Sequence, residues 1–232
     1  MSEETAVVVG VGPGLGLALV HALSEEGYTV LAAARRASAL DFGTGLGRVI
    51  PIDCDATVPA QVDALFETIE ERHGPLRVTI FNAGAFVKGK VVDTEPEDFE
   101  RCWRVGCFGG YLVGRAAARV MLKHRTGTIL FTGATASLRG GAGFANLASP
   151  KFALRALAQS MARELAPEGI HVAHVIIDGQ IHSDRYADLL EQRGPDSLLE
   201  PTAIAAAYLT LHRQHRSAWT HELDIRPWVE KF

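Results

Sequence analysis

Six runs of six to eight apolar, largely β-branched residues recur along the 232-residue chain: TAVVVG (5–10), YTVLAAA (28–34), GRVIPID (47–53), RVTIFNA (77–83), GTILFTG (127–133) and IHVAHVII (170–177). Runs this continuous suit strands buried on both faces, as in a parallel sheet covered by helices. Between them, charged and apolar residues interleave, as in PAQVDALFETIEERHG (59–74) and EDFERCWRVGCFGGYLVGRAAARVMLKH (97–124). The alternation is βαβ, so the expected class is α/β, with a doubly wound parallel sheet of about seven strands. No composition break, linker, low-complexity run or solenoid-length repeat divides residues 1–232, so one domain is expected. The least patterned piece, 179–201, follows the sixth strand. Ligands of open α/β sheets bind beyond the carboxyl ends of the strands, which makes this piece a candidate substrate lid.

Composition narrows the partners. Lysine and arginine number 23 against 27 acids, a net charge of −4, so the chain has no basic field for nucleic acid or for a membrane surface. The longest apolar stretches are strand-sized and the opening MSEETAVVVG is acidic, which predicts a cytoplasmic protein without a signal peptide or membrane span. Cys54, Cys102 and Cys107 form no CxxC pair and are odd in number, as expected of reduced, packed thiols. His171 and His174 lie three apart on a strand and should face opposite ways, while His212 and His215 sit near a helix end, so no metal site is expected.

The first strand runs directly into GVGPGLGLALVHAL. Gly10, Gly14 and Gly16 fit Gly-x-x-x-Gly-x-Gly, whereas a GxGxxG pattern from Gly10 and Gly12 fails at Leu15. Glycines allow a tight turn and close backbone approach, and the helix N-terminus behind them receives an anion, the arrangement that binds a dinucleotide pyrophosphate. The second strand ends in Ala34, Arg35 and Arg36, without the acid that would bind a ribose 2′-hydroxyl. The two arginines suit a 2′-phosphate, so NADP(H) is preferred over NAD(H), the alternative being two solvated surface arginines.

These features, in this order, resemble the short-chain dehydrogenase/reductase family from about residue 5 to residue 225, which implies a single Rossmann fold. CDAT (54–57) is similar to the family's turn after the third strand, where Asp55 and Ala56 would meet adenine. FNAG (81–84) is similar to its Asn-Asn-Ala-Gly segment, with Phe81 for the first Asn and Asn82, Ala83 and Gly84 retained. DGQIHS (178–183) resembles its Pro-Gly-x-Val-x-Thr stretch, with Asp178 for Pro and Ser183 for Thr. The resemblance implies a cofactor shell of these residues with Gly10, Gly14, Leu15, Gly16, Arg35, Arg36, Thr132, Lys151, Gly179, Ile181 and Ser183. It also implies a homodimer or homotetramer, formed through the helix near 97–124 and the helix carrying Lys151.

The family moves a hydride between nicotinamide and a carbonyl or alcohol, with a Tyr as general acid/base, a Lys one turn later, a Ser and an Asn. Counting from Lys151, the Tyr position holds Leu147, the Ser position Ala134 and the Asn position Gly106. No Tyr occurs between Tyr111 and Tyr186, so no small shift restores the pattern. Lys151 alone remains as a catalytic candidate. The apolar replacements, with Phe144, predict a dry pocket and a hydrophobic or aromatic carbonyl or alcohol substrate.

Two readings follow. One is an atypical NADP(H)-dependent oxidoreductase whose proton comes from a water held by Lys151, or from Thr132, Ser137, Ser149 or His182. The other is a catalytically silent NADP(H)-binding protein, in which Lys151 only holds ribose. The first is favoured because the cofactor carries the hydride chemistry and asks the protein mainly for orientation and one proton. The tail WTHELDIRPWVEKF is read as covering either a subunit interface or the site.

Overall fold

The computed structural model describes residues 4–183 and 186–230. Seven strands form one wholly parallel sheet: β1 (Thr5–Val9), β2 (Thr29–Ala34), β3 (Val49–Asp53), β4 (Leu76–Phe81), β5 (Gly127–Thr132), β6 (Ile170–Ile177) and β7 (Glu222–Ile225). Their order is β3-β2-β1-β4-β5-β6-β7, which reverses direction between β1 and β4. Ligands of doubly wound folds bind at such a switch point.

The strand period of two divides the core. Val7 and Val9 pack on one face with α2 (Pro59–Arg72), α4 (Gly109–Leu122) and α5 (Ala145–Leu165), while Ala6 and Val8 pack on the other with α1 (Leu15–Glu25) and α7 (Pro201–His212). Cys54, Cys102 and Cys107 are buried free thiols, and burial raises the pKa of each. His171 lies flat against Trp219, whereas His174 meets Ser137, and among the described residues no cluster of three metal-ligating side chains forms. No described helix is long and apolar enough to cross a membrane.

The structure departs from the sequence expectation at two places. The stretch 97–124 is not one regular helix: α3 (Pro96–Trp103) and α4 are joined by a π-helical turn over Arg104–Phe108, which contains Gly106. The tail contributes β7, held to α5 by a bidentate pair in which Arg155 Nε and Nη2 donate to Glu222 Oε1 and Oε2 at 2.6 and 2.8 Å. These bonds, with a longer one from Gln159, hold the Glu222 carboxyl down at about 2. The stretch 179–201 is structured in part: α6 (Ala187–Arg193) forms, Ile181 bridges Leu199, and Ser197 and Leu198 are buried. Residues 184 and 185 of the expected lid lie outside the described residues.

Candidate cofactor and active site

The glycine turn is built for close approach. Gly10 and Gly14 take φ of 97° and 94°, which side-chain-bearing residues rarely adopt. A Cβ on Gly10 would lie 2.3 Å from the Ala83 nitrogen and one on Gly16 2.8 Å from the Val11 Cα, while Gly14 faces open space. Asn82 fixes the turn from β4's end, its backbone N donating to Val9 O at 2.8 Å and its Nδ2 to Gly10 O at 3.1 Å. No side chain caps α1 and its first turn has no acid, which leaves the positive end of its dipole for an anion.

A cleft of about 290 Å³ opens at these carboxyl ends, lined among others by Gly10, Arg35, Asp55, Ala56, Asn82, Ala83 and Gly84. Gly14, Leu15 and Gly16 stand at the α1 N-terminus rather than on this lining, and Arg36 precedes the short turn at Ala37–Ala39. Asp55 also shapes its own loop, because its Oδ1 accepts from Thr57 N and Oγ1 at 2.9 and 2.8 Å. Arg101 and Val105 complete a wall that sequence reasoning missed.

A second cleft, of about 460 Å³, lies over the start of α5. Ala134 and Leu147 share its wall with Phe86 and Phe144, whose rings stack at 5.0 Å and 15°. Lys151 follows Leu147 by one helical turn and is buried, its Nζ donating to Thr132 O at 2.6 Å. Burial pushes its ammonium down to about 8. Gly106 faces α5, where an added Cβ would lie 3.0 Å from the Pro150 Cβ.

The alternative proton donors read from the sequence are placed elsewhere. The Thr132 hydroxyl bonds the Tyr208 hydroxyl of α7 at 2.8 Å, because alternate residues of β5 face that layer and Leu130 packs there too. The buried Ser137 hydroxyl accepts from Ala134 N at 3.2 Å and meets His174 Nε2 at 3.3 Å. Ser149 is exposed, and His182 Nδ1 sits 2.8 Å from Glu200 Oε1. None of the four is on the lining of the second cleft, and Lys151 lies buried behind that lining, one turn after Leu147. On the lining are further polar residues. They are Thr135, Arg139, Asp178, Gln180, Tyr186 and Glu230, of which sequence reasoning had singled out Asp178 alone, as a departure from proline.

A model of the short chain dehydrogenase family matches residues 4–193. The chain belongs to this family. A crystal structure of a short-chain dehydrogenase from Rhodopseudomonas palustris is 42% identical and superposes with a TM-score of 0.84, covering 97% of this chain and 99% of that one. The 3-oxoacyl-[acyl-carrier-protein] reductase MabA of Mycobacterium tuberculosis is 30% identical over 182 residues, 78% of this chain and 71% of its own length. A metagenomic short-chain oxidoreductase in complex with NADP is 25% identical, with a TM-score of 0.83 and 99% of each chain covered.

In this short-chain dehydrogenase the segment after β6 lines the second cleft through Asp178, Gly179 and Gln180. Gly179 takes φ of 152° and packs against Pro227, where a Cβ would lie 2.8 Å from the proline Cδ. Ile181 follows in the bridge to Leu199, and Ser183 O accepts from Tyr186 N at 2.8 Å.

Proposed function

We propose that this short-chain dehydrogenase is an atypical NADP(H)-dependent oxidoreductase that reduces a hydrophobic or aromatic carbonyl compound without the family's tyrosine. The observation that carries the reading is the place of Lys151: buried on α5 with its Nζ on Thr132 O, one turn after the apolar wall that Leu147 and Ala134 give the second cleft. Its cofactor site fits the dinucleotide on the glycine cradle, the uncapped α1 N-terminus and Arg35 on the first cleft. Bound there, NADPH supplies the hydride. NADP in complex with the metagenomic relative supports the choice of cofactor.

The chain's own residues then have separate tasks. Arg35 and Arg36 pair with the 2′-phosphate, and Asp55 and Ala56 shape the adenine end. Gly179, Ile181 and Ser183 border the nicotinamide end, and Thr132 contributes its carbonyl oxygen by anchoring Lys151. Phe86 and Phe144 offer a stacked aromatic wall to the substrate, and the ordinary preference of aromatic rings for stacked partners favours an aryl group there. Lys151 gives its proton through one water to the substrate oxygen as negative charge develops on it. Fluorescence titration with NADPH and NADH, followed by NADPH absorbance with a panel of aromatic, aliphatic and sugar ketones, tests the reading. Tighter NADPH binding and slow oxidation with aryl ketones are expected. Cofactor binding with no oxidation across the panel identifies the silent binder instead.

The proposed assembly is a homodimer or homotetramer through α3–α4 and α5. Phe99, Trp103, Tyr111 and Phe152 on these helices are each about two-fifths exposed, at 39%, 39%, 42% and 43%. Sedimentation at micromolar concentration should give at least twice the 25.0 kDa chain mass, and a monomer refutes the assembly.

A further inference from the structure

The second cleft holds one polar unit that the proposed reduction does not use. Thr135 follows Ala134 on the cleft wall, and its Oγ1 donates a short hydrogen bond to Asp178 Oδ1. Asp178 is only 5% exposed. Its other oxygen, Oδ2, faces Arg226 Nη1 at 3.1 Å, and Arg226 is in turn bound to Asp224 at 2.6 Å. The Asp178 backbone N donates to Ile225 O at 2.8 Å, so the carboxylate is fixed from both sides.

This arrangement commits the single proton of the Thr135 hydroxyl to the carboxylate. A hydroxyl has one donor and two lone pairs, so the half-buried Thr135 oxygen can offer the cleft only acceptor capacity. An acceptor cannot hold a bare carbonyl oxygen, but it can hold an O–H or N–H group. Arg226, shared with Asp224, screens the Asp178 charge, and Arg139 on the lining with Lys88 5.7 Å over the Phe144 ring adds two cations beside the acids Asp178 and Glu230. A neutral hydroxyl is therefore a better partner for Thr135 than an ammonium group.

We propose that Thr135, oriented by Asp178 and Arg226, is a specificity-determining residue that selects aryl ketones carrying a hydroxyl next to the carbonyl. The inference rests on the carbonyl-reductase reading and deepens it by naming the substrate class. The Phe86–Phe144 stack receives the aryl ring, and the hydroxyl on the neighbouring carbon donates to Thr135 Oγ1. A bound aryl ketone excludes water from the half-buried Thr135 oxygen, and an acceptor so desolvated without a donor is costly, so a ketone lacking the hydroxyl is penalised rather than merely held less well.

Binding of 2-hydroxyacetophenone and of acetophenone to the protein loaded with NADP+, which has no hydride to give a ketone, is measured at equilibrium by calorimetry and gives a ratio that does not depend on turnover, while NADPH consumption is followed in a separate assay. The hydroxy ketone should bind about tenfold more tightly, the ratio set by one hydrogen bond to the half-buried Thr135 acceptor. Thr135→Val should bring the ratio close to one, and Thr135→Ser, which keeps the hydroxyl, should retain it. NADPH affinity of both variants reports that the fold is intact. A wild-type ratio near one, a ratio that survives Thr135→Val, or failure of both ketones to bind overturns the proposal. The expected ratio without NADPH consumption supports the Thr135 selectivity while refuting the reductase reading, so the two fail separately.

Discussion

The double substitution Leu147→Tyr with Ala134→Ser is expected to raise the rate of aryl ketone reduction by roughly 10²–10⁴-fold, the usual contribution of a positioned general acid. Both positions lie on one wall of the second cleft, and Leu147 precedes Lys151 by one turn of α5. A phenol at 147 would thus stand close to a buried ammonium, which favours its ionised form and brings its acidity toward the working pH. The cleft of about 460 Å³ has room for the larger ring. An Asn at Gly106 is left out of the variant, because its Cβ would lie 3.0 Å from the Pro150 Cβ and require α5 to give by a few tenths of an ångström. NADPH absorbance with one ketone at fixed pH measures the gain. A double variant that binds NADPH normally yet shows no gain would mean that the second cleft does not present the substrate carbonyl to these positions.

The second large effect concerns Lys151. Lys151→Met should lower reduction by roughly 10²-fold or more while the protein still binds NADPH, since the loss of a proton donor and the loss of cofactor affinity are separable. Methionine suits the buried position but leaves Thr132 O without the 2.6 Å bond it accepts from Nζ, so a modest loss of stability should accompany the kinetic one. The pH dependence has a definite sign. Burial lowers the Lys151 pKa to about 8, so the ammonium proposed as proton donor is present below that pH and lost as pH rises through it. Reduction should fall correspondingly above about pH 8, and Lys151→Met should flatten the profile.

Much of this architecture was readable because it depends on local pattern. The strands β1, β2, β4, β5 and β6 are continuous apolar runs, and the glycine turn announces itself by positions where a Cβ cannot fit. β7 was not readable: of Glu222 to Ile225 only Leu223 and Ile225 are apolar, and its register is fixed by β6 and by the Arg155–Glu222 pair. The π-helical turn likewise was not readable, and the close approach of its Gly106 to Pro150 joins two helices far apart in the chain, which no local pattern encodes. Thr132 illustrates the limit of strand parity. Its place on β5 was clear, but the partner that turns its hydroxyl away, Tyr208, comes from the far end of the chain. Thr135 gave no sequence signal, and its importance appears only when β6 and the tail bring Asp178 and Arg226 beside it.

The most direct test of the central claim is single-turnover reduction of an aryl ketone by the NADPH-loaded wild-type protein, followed by absorbance across pH 6 to 10. Hydride transfer that is slow, declines through about pH 8, and in Lys151→Met falls by roughly 10²-fold or more with a flat pH profile is the predicted result. NADPH that stays bound and unoxidised at every pH, or oxidation that proceeds equally well in Lys151→Met, would contradict it.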